Sequence, residues 1–420
     1  MRHFLPRTAC CTFLLFFINL PAVAADWPQF LGPNRDGIVR DKGLNFDWKT
    51  KPPATLWKVP LGNGFASVII VDNKIYTGAK RETKDAVVCL DAKDGKELWH
   101  FDVAPTYLDK QKHGYGPRST PVHHQGKVYA LFPMGELVCL TTAGKQVWHA
   151  NIFKDTGAKN HAGEKYYWGA SMSPIVEGDL VIVQPGGTDG NSVAAYHKDT
   201  GKLVWKAGSD PMGYASPITA TIAGKKHLIV PTGQSVLGVE PAKGEVLWRH
   251  AFGNEFNATA ASPVWADNVL FVSAAYGAGS AALEILPPDK DKKTWTVREK
   301  WKQKKMQTLM ATSMVLDGHI YGFSGDLSAF LLRCVSLTDG EIKWEERMPG
   351  RQGLLALDGH LLCVGERGDI QLIEAQPRSF AVKGELPKLL AYKAWSSPAF
   401  ADGKLYLRDQ QHLVCLDLRK

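Results

Sequence analysis

The stretch VVCLDAKDGKELW, residues 87–99, decides the fold because the chain repeats it. Val87, Val88, Cys89 and Leu90 form an apolar run. Residues 91–95 are turn chemistry ending in Gly95, and residues 96–99 begin a second strand closed by Trp99. The phrase returns as LVCLTTAGKQVW (137–148), VAAYHKDTGKLVW (193–205), VLGVEPAKGEVLW (236–248) and LRCVSLTDGEIKW (332–344). Self-similarity at such a period marks a repeat architecture.

Working outward, each unit opens with a small or hydroxyl residue and an apolar strand. The openings are Ser67-Val68, Thr120-Pro121, Ser173-Pro174, Ser216-Pro217, Ser262-Pro263, Ser313-Met314, Gly353-Leu354 and Ser397-Pro398, which makes eight units. Turn pairs such as Asp72-Asn73, Gln125-Gly126, Asp317-Gly318 and Asp402-Gly403 separate the first strand from the second. Successive tryptophans from Trp57 to Trp344 lie about 42–57 residues apart. A minimum near 42 with longer excursions is a four-stranded unit carrying loop insertions, the size of a propeller blade. The phrase degenerates twice. It lacks its Gly before Trp301 and is absent around residues 375–390.

The two ends complement each other. The last unit stops at HLVCLDL (412–418) without a Trp strand, while ATLWKVP (54–60) is a Trp strand without a unit. Joining them removes an open edge that would invite aggregation. The expected fold is therefore all-β: an eight-bladed β-propeller of four-stranded antiparallel blades, closed by N- and C-terminal strands sharing the last blade. Residues 54–420 form the propeller. Residues 26–53 are an irregular lead-in packed on the body by Trp27, Phe30 and Trp48.

Residues 1–25 have the build of a signal peptide, with Arg2 and Arg7, an apolar core at 13–20 and Ala22-Val23-Ala24 for cleavage. The apolar run is too short to span a membrane. No lipid-anchor signal and no other transmembrane segment are expected, so the reading is a soluble, monomeric, periplasmic or secreted protein. Net charge is +8, spread along the chain, with 45% hydrophobic residues. That is a globular composition and no nucleic-acid footprint. The basic run at 290–305 alternates with Trp and Val, as in a hairpin with one solvated face. Cys89, Cys139, Cys334 and Cys415 hold one equivalent place in different units. Equivalent places lie beyond the roughly 7 Å Cα reach of a disulfide, so these cysteines read as small buried strand residues.

The phrases LDAKDGKELW, YHKDTGKLVW and SLTDGEIKW resemble the quinoprotein-like (PQQ-like) propeller repeat, in which Ala-x-Asp-x-x-Thr-Gly-x-x-x-Trp closes each blade. The resemblance runs from Ala54 to the C-terminus. The opening WPQFLGPNRDG is similar to the lead-in of small exported members. The repeat implies the fold more than the function, since its relatives include pyrroloquinoline-quinone-dependent alcohol dehydrogenases and the non-enzymatic outer-membrane assembly scaffold BamB. Unlike those dehydrogenases, residues 26–420 have no adjacent cysteine pair and no Cys-x-x-Cys-His haem site. The expectation leans to a non-enzymatic binding scaffold with a protein or cell-envelope partner. A quinone-dependent alcohol or sugar dehydrogenase is the alternative.

In a propeller the loops entering the first strands ring one mouth of the channel. Here those loops carry Tyr115, Arg118, Trp168, Tyr214, Asn257, Arg351 and Trp395, the candidate cofactor-binding residues. Arg118 and Arg351 would attract carboxylates, and Trp168, Tyr214 or Trp395 would stack on a flat ring. A quinone tricarboxylate suits such a funnel; Asn254, Glu255 and Asn257 could supply oxygens to Ca²⁺, but three candidates on one loop are too few for a site. The alternative is that the aromatic loops cover the blade ends and the arginines are solvated. No catalytic or metal residue is assigned. His123-His124 point to opposite faces of a strand, and Gly186-Gly187-Thr188-Asp189-Gly190 lacks the Gly-Lys-Ser/Thr of a phosphate loop.

Overall fold

The structure is a computed structural model and describes residues 26–160, 167–290, 293–325, 330–348, 353–391 and 393–420. The leader at 1–25 lies outside the described residues, as does Arg351.

Eight antiparallel sheets form the body. The first blade is Ile69–Val71, Lys74–Arg81, Lys84–Asp91 and Glu97–Pro105. The second to seventh follow in the same up-and-down order. The first strands of the first and second, second and third, fifth and sixth, sixth and seventh, and eighth and first blades touch one another, so the first strands line the axis. The eighth sheet is Ala54–Pro60, His412–Asp417, Lys404–Arg408 and Ala399–Ala401, with Trp57 opposite Cys415. The ends of the propeller therefore meet in one sheet, as the complementary leftovers require. One short helix, Ile152–Thr156, interrupts the strands of the described residues.

The repeated phrase is a clamp between blades. In four blades a Tyr, a Cys and a Trp stand in one row across three strands: Tyr76–Cys89–Trp99, Tyr129–Cys139–Trp148, Tyr321–Cys334–Trp344 and Tyr406–Cys415–Trp57. The Tyr and Trp rings meet over the small thiol at centroid distances of 6.0 Å. All five described cysteines are free and buried. Burial pushes the thiols of Cys89, Cys139 and Cys415 up to about 12, which leaves them inert at neutral pH.

Each Trp also reaches its neighbour. The indole N–H of Trp57, Trp99, Trp148 and Trp205 donates to a turn carbonyl of the next blade, at 2.8–3.3 Å. The turn glycine of that next blade lies flat on the ring. A Cβ on Gly95, Gly144, Gly201 or Gly244 would stand within 3 Å of the preceding blade's Trp. This explains why Gly and Trp recur as a pair: Gly supplies both the left-handed turn and the clearance.

Where the phrase degenerates, other groups close the seam. Trp248 turns to His227 Nδ1 at 2.9 Å, and His227 meets Trp295 edge-on. In the seventh blade Gly384 occupies the Trp place, opposite Leu372. Trp48 of the lead-in packs onto Gly384 and is buried, filling the space of the missing indole.

The rest of the lead-in enters the ring of first strands. Trp27 exchanges two backbone hydrogen bonds with Ile70 of the first blade, and Pro28 accepts from His123 of the second. Gly37 packs on Met314 of the sixth, and Ile38–Val39 pairs in parallel with Leu354–Leu357 of the seventh. The segment 26–39 therefore crosses the axial channel and contributes a short strand, where the sequence gives no sign of one.

Candidate functional site

The mouth is organised first by hydroxyls. Ser67 N–H donates to Thr120 Oγ1, Thr120 N–H to Ser173 Oγ, Ser173 N–H to Ser216 Oγ and Ser262 N–H to Thr312 Oγ1, at 2.9–3.2 Å. Ser67 Oγ also donates to the Ser397 carbonyl at 2.6 Å. The small hydroxyl openings of the first four units, and of the fifth with the sixth, are thus linked in a partial belt around the axis, and Gly353 of the seventh carries no hydroxyl. Thr312, not Ser313, holds the belt position in the sixth blade.

Arg35 rises to this belt from the lead-in. Its guanidinium donates to the carbonyls of Ser173 and Pro174, both at 3.1 Å, and to Gln29 Oε1 at 3.2 Å. It is buried with no carboxylate partner among the described residues, and burial lowers its pKa to about 9.

Above the belt, loop 106–121 is held from within by Asp109. This buried carboxylate accepts the backbone N–H groups of Gln111 at 2.8 Å and His113 at 3.3 Å, and pairs with Arg118 Nη2 at 3.0 Å. Arg118 also donates to the Gly114 carbonyl and lies 5.1 Å over the Phe65 ring. Burial lowers the Arg118 pKa, while Asp109 opposes the shift. Phe65 in turn stacks on Trp395 at 5.2 Å. Trp395 also meets the His113 ring at 6.0 Å, the Lys393 ammonium 4.8 Å from its ring, and Glu366, which accepts its indole N–H at 3.2 Å. Trp168 and Tyr214 meet edge to face at 5.3 Å, with Tyr214 within electrostatic reach of Arg118.

Of the seven candidates, Arg118, Trp395, Trp168 and Tyr214 are gathered at the mouth, and Tyr115 is exposed on the loop that Asp109 braces. Asn257 is not tied to this cluster by any contact among the described residues. It adopts a left-handed backbone against Gly233. Sequence reasoning missed Phe65, Asp109 and Arg35, whose roles come from distant segments. It also missed Asp85, buried at the top of the first blade, which accepts from Tyr107 N–H and is pushed up to about 7 by desolvation.

Among the described residues, Arg118, Trp395 and Asn254 are already engaged and do not fit the roles expected of them toward a quinone with calcium. The Arg118 guanidinium is engaged by Asp109, Gly114 and Phe65. Trp395 is stacked on Phe65 and capped by Lys393. Asn254 Oδ1 accepts from Phe256 N–H and Ala258 N–H, and its amide donates to the Ala258 and Ala275 carbonyls. That side chain is a loop staple with no oxygen left for an ion. Among the described residues no three His, Cys, Asp or Glu side chains converge on one point. No helix in these residues is long and apolar enough to cross a membrane.

A closed eight-bladed propeller with an internally braced mouth defines the class. The family model described as "Outer membrane protein assembly factor BamB" matches residues 38–164 and 83–346, and the chain belongs to that family. Among solved structures it is similar to BamB from Moraxella catarrhalis, at 14% identity and TM-score 0.59, over 87% of this chain and 97% of that one. It is also similar to the quinohemoprotein alcohol dehydrogenase from Comamonas testosteroni, at 13% identity and TM-score 0.52, over 94% and 81%. A curated quinohemoprotein alcohol dehydrogenase from the same organism is 24% identical over 210 residues, 47% of this chain. That match spans 26% of the relative's length. At these identities the likeness carries the fold.

Proposed function

We propose that this chain is an exported binding platform of the cell envelope, with the mouth as its docking face for a protein partner. The observation that carries the reading is loop 106–121. Its polar groups are tied inward by Asp109, while Leu108 and Tyr115 stand 65% and 42% exposed. Leu108 is the most exposed large apolar side chain of the described residues. A rigid loop presenting an aliphatic and an aromatic side chain is the build of an interface anchor, because little ordering entropy is lost on binding. The BamB family membership supports the reading.

A photo-cross-linking residue placed at position 108 or 115 in the native envelope tests it. One discrete adduct of reproducible mass is expected at both positions and none at Val204 on the outer rim. Adducts absent at 108 and 115, or equal at all three positions, would remove the mouth as the docking face.

A further inference from the structure

A second site lies on the same face but away from the axis. A groove of about 490 Å³ opens between the fourth and fifth blades, lined by Gln234, Phe252, Glu255, Tyr276, Lys302 and Lys304 among others. Its size falls in the range of small-ligand clefts, about 300–1,000 Å³. Its chemistry is the reverse of the mouth's. The Gln234 amide and the Glu255 carboxylate have no hydrogen-bond or ion-pair partner among the described residues. Lys302 approaches Glu299 only to 3.9 Å. Lys304 is held by the Gly277 carbonyl and so braces the turn beside the groove.

That turn carries Tyr276 at φ 55°. A bulky aromatic residue rarely adopts this backbone, whereas Gly, Asn or Asp takes it readily. Phe256 fixes the ring edge-on at 5.2 Å. The fold thus tolerates local strain to hold an aromatic ring at the groove, and such strain gathers at functional sites.

We infer that this groove binds a neutral saccharide segment. An aromatic ring stacks on the apolar C–H face of a pyranose. A planar amide, a carboxylate and an ammonium together accept from and donate to its hydroxyls. Lys302 and Lys304, set against Glu255 and the Glu299 beside Lys302, leave the site close to neutral, which disfavours strongly ionic ligands. The site goes beyond the docking role proposed for the mouth and does not depend on it.

Isothermal titration of the purified chain with cellotriose, maltotriose and chitotriose tests the assignment. Saturable binding of at least one is expected. Glu255→Gln and Gln234→Ala should each weaken it tenfold or more. Tyr276→Asn should abolish it with the melting temperature unchanged or raised, a pairing that a merely structural tyrosine would not give. Val204→Ser, on the third blade's outer strand, should leave it unchanged. No saturable binding at millimolar sugar would overturn the proposal, as would binding that survives Tyr276→Asn. Tighter binding of uncharged N-acetyl-tri-alanine amide, lost in the same variants, would also contradict it by making the groove a peptide site.

Discussion

The axial mouth and the groove between the fourth and fifth blades differ in what their polar groups already touch. At the mouth Asp109 pairs with Arg118 and Glu366 accepts from Trp395, with only Arg118 Nε of these groups left buried without a hydrogen bond, and the lead-in crosses the channel below. In the groove the Gln234 and Glu255 side chains have no hydrogen-bond or ion-pair partner among the described residues, and a strained backbone holds an aromatic ring beside them. A face whose polar groups are mutually satisfied is a rigid surface that offers shape and apolar contact. A concave site with unsatisfied groups is where a polar small molecule gains hydrogen bonds on entry.

The largest effects are expected where a sealed blade seam or the brace of the mouth is opened. Trp48→Ala empties the place of the seventh blade's missing indole and should cost about 3–5 kcal/mol, read from guanidinium denaturation. Asp109→Ala leaves Arg118 buried without its partner and frees the N–H groups of Gln111 and His113. It should cost about 3 kcal/mol or more and raise hydrogen exchange across loop 106–121. Glu255→Gln in the groove should stay within about 0.5 kcal/mol of the parent, and a larger loss there would erase the contrast.

A pH series sharpens it further. Asp85 titrates near 7 in the fold against an ordinary value of 3.8. Between these values the folded state holds a proton that the unfolded state has released, so stability falls as pH rises from about 4 to 7 and then levels. Asp85→Asn keeps an acceptor for Tyr107 N–H and cannot ionise. It should raise the melting temperature at pH 8 and have little effect at pH 4. Equal shifts at both pH values would show that Asp85 is not protonated in the fold. A small effect is expected at Tyr276→Asn, a gain of up to about 1 kcal/mol from relieved backbone strain.

The blades were legible because the clamp is local in sequence although it acts between blades. Gly95 must pass under Trp57, and Trp99 must reach the next turn, so both leave a fixed spacing in every unit. The shared eighth blade was legible for a related reason, since an unfinished unit and an orphan Trp strand complete each other. Trp48 escaped notice as a substitute because nothing near it in the chain refers to Gly384, more than three hundred residues away. Arg35 escaped for the same reason, since its partners Ser173 and Pro174 belong to the third blade. At the mouth, residue types identified Arg118 and Trp395. Whether an arginine is available depends on Asp109 and Phe65, and that pairing exists only once the loops close over the blades. The groove left no motif at all, because its lining comes from two blades and its signature is a backbone angle at Tyr276.

The central claim is that the mouth is an internally braced docking face and not a quinone site. The direct test is to add pyrroloquinoline quinone and Ca²⁺ to the purified chain, following quinone absorbance and dye reduction with simple alcohols. The account predicts an unchanged cofactor spectrum and no turnover. A saturable spectral shift with alcohol-dependent dye reduction, both lost in Arg118→Ala, would contradict it.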